Sequence, residues 1–395
     1  MAEPKIRFKQ DNGKPFPEWK RNKLKNFIHQ VSIKNKDNSA YPVYSVNNQK
    51  GFIPQNEQFE EREVASDNKS NYKIVSYHQF AYNPSRINVG SIAYLKEKIK
   101  VIVSPLYVVF ECLSGLNVDY LNMYIRTNSF DNKRRINAER SVRDSLNCDG
   151  FANIETFFPS YDEQKKIADF LSSVDEVISA SEEEVANLET QKKAVMKKIF
   201  SQEVWFKKDD GSYFPDWKGK LFKEISTLIT VGIEPIKAGK MHCVELEHLE
   251  QGSGRRLGYI EADKQSSNKR LFKKGDVLFG KLRPYLRKYW LATENGCCSS
   301  EIWVLRSLEG VLPDYLLAIV SSDVFIAVAN TSEGTKMPRA NWNLVSNVVF
   351  TVPCLEEQQK IADFLSNFDE AITLAKKELE LWKQLKKGLL QQMFV

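Results

Sequence analysis

EQKKIADFLSSVDEVI, residues 163–178, returns as EQQKIADFLSNFDEAI at residues 357–372, with twelve of sixteen positions identical at an offset of 194. Helical composition alone does not produce such a match, and an internal repeat governs every later reading of a chain. A second pair agrees: FKQDNGKPFPEWK, starting at Phe8, is answered by FKKDDGSYFPDWK, starting at Phe206, at an offset of 198. Between these anchors the segments from about Lys23 to Ser160 and from about Lys220 to Leu355 share little alignable sequence. A constant frame therefore holds two divergent fillings.

The repeated phrase opens a helix with one apolar seam. Stepping by alternating four and three residues, the first copy places Ile167, Leu171, Val174, Ile178, Ser181, Val185, Leu188, Lys192, Val195 and Ile199 on one line. The second copy places Ile361, Leu365, Phe368, Ile372, Ala375, Leu379, Trp382, Lys386, Leu389 and Met393 there. This is a sustained heptad pattern. Neither run contains proline, and Gly388 is the one weak helix former. Ser160 and Glu163 have capping-box spacing at the first start. At ~1.5 Å per residue each helix of ~37 residues spans about 55 Å. Two matching seams pack most economically on each other. Docking of each helix on its own domain is the alternative, and a pseudo-twofold relation of the halves favours antiparallel pairing.

With 395 residues, 42% of them hydrophobic, the chain holds two cored domains plus connecting elements. No basic segment followed by an apolar run opens it, and no stretch has the ~18 uninterrupted apolar residues of a membrane span, so a cytoplasmic location is expected. The six cysteines and four histidines show no metal-ligand spacing, and the cysteines are expected to be reduced core thiols. The net charge of +6 is unevenly distributed. Residues 1–161 hold 24 basic against 17 acidic side chains and residues 201–355 hold 21 against 18, whereas 162–200 and 356–395 are net acidic. The fillings carry the positive excess, as expected of parts that meet a polyanion.

Short β-branched and aromatic runs bounded by Gly, Asn or Pro predict strands in both fillings: KIVSYHQFAYNP, GSIAYL and KVIVSPLYVVFEC in the first, DVLFGKL, KYWLA and SSEIWVLRS in the second. LNVDYLNMYIRTNSF from Leu116 and PDYLLAIVSSDVFIAVAN from Pro313 predict helices. Basic and amide residues gather around these runs: Asn47, Asn48, Gln49 and Lys50; Asn83, Arg86 and Asn88; Lys133, Arg134 and Arg135; Lys281, Arg283, Tyr285 and Arg287; Lys336, Arg339 and Asn341. Arg reads guanine and Asn or Gln reads adenine through paired hydrogen bonds, while Lys holds phosphates. These are the candidate DNA-binding residues, with ordinary solvated loops as the alternative for each cluster. Catalytic signatures are missing where they would be sought. Asn83-Pro84-Ser85-Arg86 lacks the aromatic of an amino-methyltransferase signature, no Walker Gly-x-x-x-x-Gly-Lys occurs, and Glu18-Trp19-Lys20 has no upstream carboxylate at nuclease spacing. No catalytic or metal-ligating residue is assigned.

A repeated IADFLS helix closing each of two dissimilar basic segments resembles the specificity subunit of type I restriction-modification systems over the whole chain. PSYDEQKKIADFLSSVDEVI, PCLEEQQKIADFLSNFDEAI and KKGDVLFGKLRPYLRKY carry the resemblance. It implies an α+β fold: two mixed α/β target recognition domains (1–160 and 201–355), separated by two conserved spacer helices (161–200 and 356–395) that form an antiparallel coiled coil with a pseudo-twofold repeat. Each domain would read half of a bipartite site in double-stranded DNA. The helices would set the spacing and dock two methyltransferase subunits, with restriction subunits joining the full complex. S-adenosylmethionine, ATP and Mg would reside on those partners, leaving this chain non-catalytic and without a cofactor. The rival classes are a coiled-coil scaffold that never touches nucleic acid, which a filter-binding assay separates, and a stand-alone methyltransferase or nuclease, which labelled methyl donor, Mg and DNA separate.

Overall fold

Both copies of the repeated phrase are helical, over Tyr161–Phe200 and Leu355–Met393. The computed structural model describes residues 3–48, 50–58, 68–138, 145–331 and 337–395. They fall into two units, Met1–Ser181 with Glu378–Val395 and Glu182–Lys377, so each unit takes one stretch of each long helix.

In the first unit Ile167 and Leu171 share a core with Leu390 and Met393, and Lys386 pairs with Asp175. In the second unit Met196 and Ile199 share a core with Ile361 and Leu365, and Lys192 Nζ lies 2.5 Å from Asp369. In each unit residue numbers rise along one helix as they fall along the other, which is antiparallel pairing. Every predicted seam position is buried or half-buried: Ile167, Leu171, Val174, Val185, Ile361, Leu365 and Ile372 buried, and Ile178, Leu188, Val195, Phe368, Leu379, Trp382 and Leu389 half-buried. The seam is not purely helix against helix, however. Ile167 and Leu171 also enter a globular core with Phe110, Tyr120 and Phe151, and Ile361 and Leu365 one with Phe222, Phe279 and Tyr315. The two packing modes weighed from sequence coexist.

The polar residues of the phrase explain its repetition locally. Buried Gln164 donates from Nε2 to the Gly115 and Pro159 carbonyls and accepts from Asn117 N–H at 2.8 Å. Gln358 does the same with Gly310, Pro353 and Leu312 N–H, at 2.9 Å in each case. Lys166 reaches Lys9 O and Asp11, and Lys360 reaches Lys207 O and Asp209, at 2.9 and 2.6 Å in both copies. Each helix start is thus bolted to its own amino-terminal motif and its own domain. The predicted capping box is half present: Glu163 N–H meets Ser160 Oγ at 3.4 Å, but the Glu163 carboxylate is taken by Arg7 at 2.8 Å.

The divergent fillings fold alike. In the first unit an antiparallel sheet runs Ile28–Val31, Val108–Cys112, Phe80–Tyr82, Ile92–Tyr94 in spatial order, and in the second Ser226–Ile229, Ile302–Ser307, Val277–Gly280, Tyr289–Leu291. A two-stranded ladder closes each frame, Lys20–Lys23 with Glu155–Phe158 and Lys218–Leu221 with Val349–Val352. The additions differ. The first unit carries the hairpin Tyr44–Asn47/Gly51–Pro54 and the pair Lys73–Val75/Val101–Val103, whereas the second carries a five-stranded mixed sheet around Gly296–Cys298.

Both predicted filling helices are broken at one equivalent point. Val118–Tyr124 is followed by Asn128–Asn137, and Pro313–Ser321 by Asp323–Ala329. Thr127 and Ser322 supply the break, each side chain accepting from the N–H three residues on, Phe130 or Phe325. All six cysteines are free thiols. Among the described residues no helix is long and apolar enough to cross a membrane.

Candidate nucleic-acid interface

The hairpin at one edge of each four-stranded sheet ends in a loop rich in predicted contacts, Asn83–Ser91 in the first unit and Lys281–Lys288 in the second. Each loop contains one 3₁₀ turn, Ile87–Val89 or Pro284–Leu286, preceded by an arginine, Arg86 or Arg283. The residue after each turn is left-handed: Gly90 with φ 86° and Arg287 with φ 49°. Arg283 is left-handed as well, with φ 53°. For a side chain bearing Cβ this backbone costs on the order of 1–2 kcal/mol, and such strain gathers where a loop must present particular groups.

In the first unit Ser91 Oγ donates to Val46 O at 2.7 Å and seats the loop against the Tyr44–Asn47/Gly51–Pro54 hairpin. A Cβ added at Gly90 would lie 3.6 Å from Asn48 Cβ. The clusters Asn47–Lys50 and Asn83–Asn88 therefore form one surface. Arg86, Asn88, Asn48 and Lys50 are exposed on it. Asn47 accepts from Lys50 N–H at 3.2 Å and Asn83 from Ser85 N–H at 3.1 Å, so these two side chains shape turns.

In the second unit Arg283 N–H donates to Pro338 O and Ala340 N–H to Lys281 O, both at 2.8 Å, around a bridge between Leu282 and Arg339. Two clusters far apart in the chain, Lys281–Arg283 and Pro338–Ala340, are thereby zipped together. Arg283 and Tyr285 are exposed and Lys281 is half-buried. Arg339 is exposed but holds Glu301 at 3.0 Å, and Asn341 caps the next turn by accepting from Asn343 N–H at 2.9 Å. Gln49 and Lys336 lie outside the described residues.

Several candidates are engaged within the protein. Lys133 is half-buried, donating to Thr156 Oγ1 at 2.7 Å and Val395 O at 3.0 Å, so it is a packing residue rather than a free cation. Burial also holds its ammonium below the ordinary lysine range. Arg134 is buried, and it shares the Asp131 carboxylate with exposed Arg135, both at 2.8 Å. Arg287 donates to Ser321 O and pairs with Asp323, which ties down the left-handed end of its loop.

Other residues escaped the sequence reading. Arg126 has no side-chain hydrogen bond or ion pair among the described residues and lines three clefts of about 180, 260 and 420 Å³. Lys96 and Lys98 sit over the Tyr94 and Tyr77 rings, and Arg256 over Trp290 at 4.6 Å. Their place beside these rings has no signal in the local sequence. Only the fold gathers them. Among the described residues no cluster of three or more His, Cys, Asp or Glu side chains could hold a metal ion.

With this geometry in hand, comparison with known proteins is decisive at the level of family. The family model for the type I restriction modification DNA specificity domain matches residues 19–190 and 234–383. The chain belongs to this family. The specificity subunit of the type I restriction enzyme MjaVIII of Methanocaldococcus jannaschii is 25% identical over 264 residues, 61% of either chain, so the match spans about three fifths of that curated relative. Among solved structures, the HsdS subunit of Thermoanaerobacter tengcongensis superposes with a TM-score of 0.50 at 15% identity, covering 98% of this chain and 99% of that one. The S subunit of the M. genitalium type I system superposes with a TM-score of 0.57 at 10% identity, covering 100% and 99%. At these identities the likeness is one of fold.

Proposed function

We propose that this specificity-family chain is the non-catalytic DNA reader of a type I restriction-modification assembly, each filling contacting one half of a bipartite duplex site. One observation carries the reading. On two copies of the same hairpin, each loop exposes an arginine beside a different polar neighbour, Arg86 with Asn88 and Arg283 with Tyr285, and no ion pair among the described residues consumes either arginine. A constant frame with variable exposed donors suits the reading of two different half-sites.

The frame also suits two copies of one partner. Asp169–Phe170 and Asp363–Phe364 are exposed at equivalent places, each Phe edge-on to the amino-terminal motif, Phe8 at 5.4 Å and Phe206 at 5.7 Å. Equivalent surfaces bind equivalent subunits, here two methyltransferase subunits holding S-adenosylmethionine, with ATP and Mg on restriction subunits, all in the cytoplasm. The paired helices set the half-site spacing.

The test is equilibrium DNA binding by the assembled methyltransferase across a salt series. About five phosphate contacts give a log-log slope of roughly −4 to −5, and a flat response overturns the reading. Arg283→Ala should cost about 1–3 kcal/mol and relax one half-site only. Equal loss on specific and random duplex would make Arg283 a phosphate contact instead.

A further inference from the structure

Arg134 is 2% exposed, yet its guanidinium is only partly satisfied. Nε lies 2.9 Å and Nη2 2.8 Å from Asp131 Oδ1, while Nη1 is buried without a hydrogen-bond partner among the described residues. A guanidinium cannot shed its proton to escape this situation. Arg134 lines a cleft of about 260 Å³ together with Asn48, Asn88, Arg126 and Asn128. Arg126, which is exposed, adds a second cation without an ion pair among the described residues. Asp131, the single carboxylate lining the cleft among the described residues, is already divided between Arg134 and Arg135. What remains toward the cleft is an excess of donors and positive charge, which matches an oxyanion better than a neutral base edge offering donors as well as acceptors.

Among the described residues the second unit has no such arrangement. Counting from the equivalent caps Thr127 and Ser322, Asn128 is answered by Asp323 and Arg134 by Ala329. There Arg287 pairs with Asp323 instead.

We propose that the cleft between Asn48, Asn88, Arg126 and Arg134 seats one backbone phosphate of the DNA bound by the first filling, anchoring that half-site while Arg86 and its neighbours read bases. The proposal deepens the DNA-reading function and rests on it. Its occupant is a phosphodiester, and its donors are the two guanidiniums and the two amides.

The test uses the chain assembled with its methyltransferase subunits. Arg126→Gln changes an exposed side chain and leaves the melting temperature unchanged. On both cognate and random duplex it should weaken binding about tenfold and flatten the log-log salt slope by about 0.9, the value of one phosphate contact. The methylated sequence should stay the same. Replacing single phosphates of the first half-site by neutral methylphosphonates should reproduce the loss at one position in the wild type and add nothing in Arg126→Gln. Arg134→Lys keeps the charge but removes the fork, and it should fall between the two. An unchanged slope with an altered methylated sequence would mean base reading and would overturn the proposal, as would wild-type affinity on both duplexes. If wild-type binding itself ignores salt, the DNA reading fails along with it, so the two failures are told apart by the wild-type control.

Discussion

The same buried glutamate is handled in two ways by the two halves. In the first, Arg7 donates from Nε to Glu163 at 2.8 Å and from Nη2 at 3.1 Å, while Trp19 Nε1 is buried without a partner among the described residues. In the second, the position matching Arg7 is Trp205, which is exposed, and the indole of Trp217, matching Trp19, takes over by donating to Glu357 at 3.0 Å. One half neutralises its carboxylate with a cation. The other supplies a single neutral donor, and burial lifts the Glu357 carboxyl above its ordinary value of 4.5, with the Trp217 bond opposing. A repeated motif therefore conserves the place of a polar group more strictly than the means of satisfying it.

The largest expected effect breaks the first arrangement. Arg7→Ala leaves Glu163, which is 0% exposed, without its counterion and should lower stability by about 3–4 kcal/mol. The corresponding Trp205→Ala should change it by no more than ~0.5 kcal/mol. Denaturant melts of the two variants side by side decide between a motif with two solutions and one with a single essential contact.

Next come the glutamines, where the halves agree. Gln164→Ala and Gln358→Ala each strand two carbonyls and one N–H, and each should cost about 2–3 kcal/mol. A markedly smaller loss in one half would show that the lock matters to only one copy. A smaller effect tests the helix pairing. Lys386→Glu should cost about 1 kcal/mol by placing two carboxylates together, and Asp175→Lys combined with it should recover most of that loss. No recovery would mean the pair does not hold the register.

The smallest effect sharpens the opening contrast through pH. A raised carboxyl pKa means the folded state holds its proton more tightly, so wild-type stability falls as pH rises above 4.5 through the folded value. Glu357→Gln removes that loss, and it should be the more stable protein at neutral pH. The advantage should disappear below the ordinary carboxylate range. Glu163→Gln should be destabilising at neutral pH, because it removes the anion facing Arg7. Thermal melts across pH 4–8 check both signs.

The periodic parts of this architecture were legible in the sequence and the rest was not, for definite reasons. Heptad spacing exposed both long helices, because a buried stripe must recur each turn. Alternation and turn residues exposed the sheet strands. The break at Ser322 was hidden inside an apolar run, since a serine cap looks like any serine until its oxygen is seen accepting from Phe325 N–H. The common sheet order of the fillings was invisible because pairing demands apolar faces, not particular residues. At the candidate interface, exposed Arg86 and Arg283 were found through their local company. The internal bond of Lys133 was invisible because its partner Val395 lies 262 residues away, and Arg126 was missed because no other cation stands beside it in the chain.

The core of the first unit contains Leu390, Met393 and Phe394 alongside Tyr120, Phe130 and Phe151. On the ribosome, that core lacks one wall until about two hundred further residues have been made, which at ~5–20 residues per second is on the order of 10–40 s. Throughout that interval an apolar face of the first domain awaits its last strip of helix. The second unit, residues 182–377, is contiguous and can close first. The half that is synthesised earlier is therefore the half that finishes later, and it is the one most exposed to chaperones and proteases while it waits.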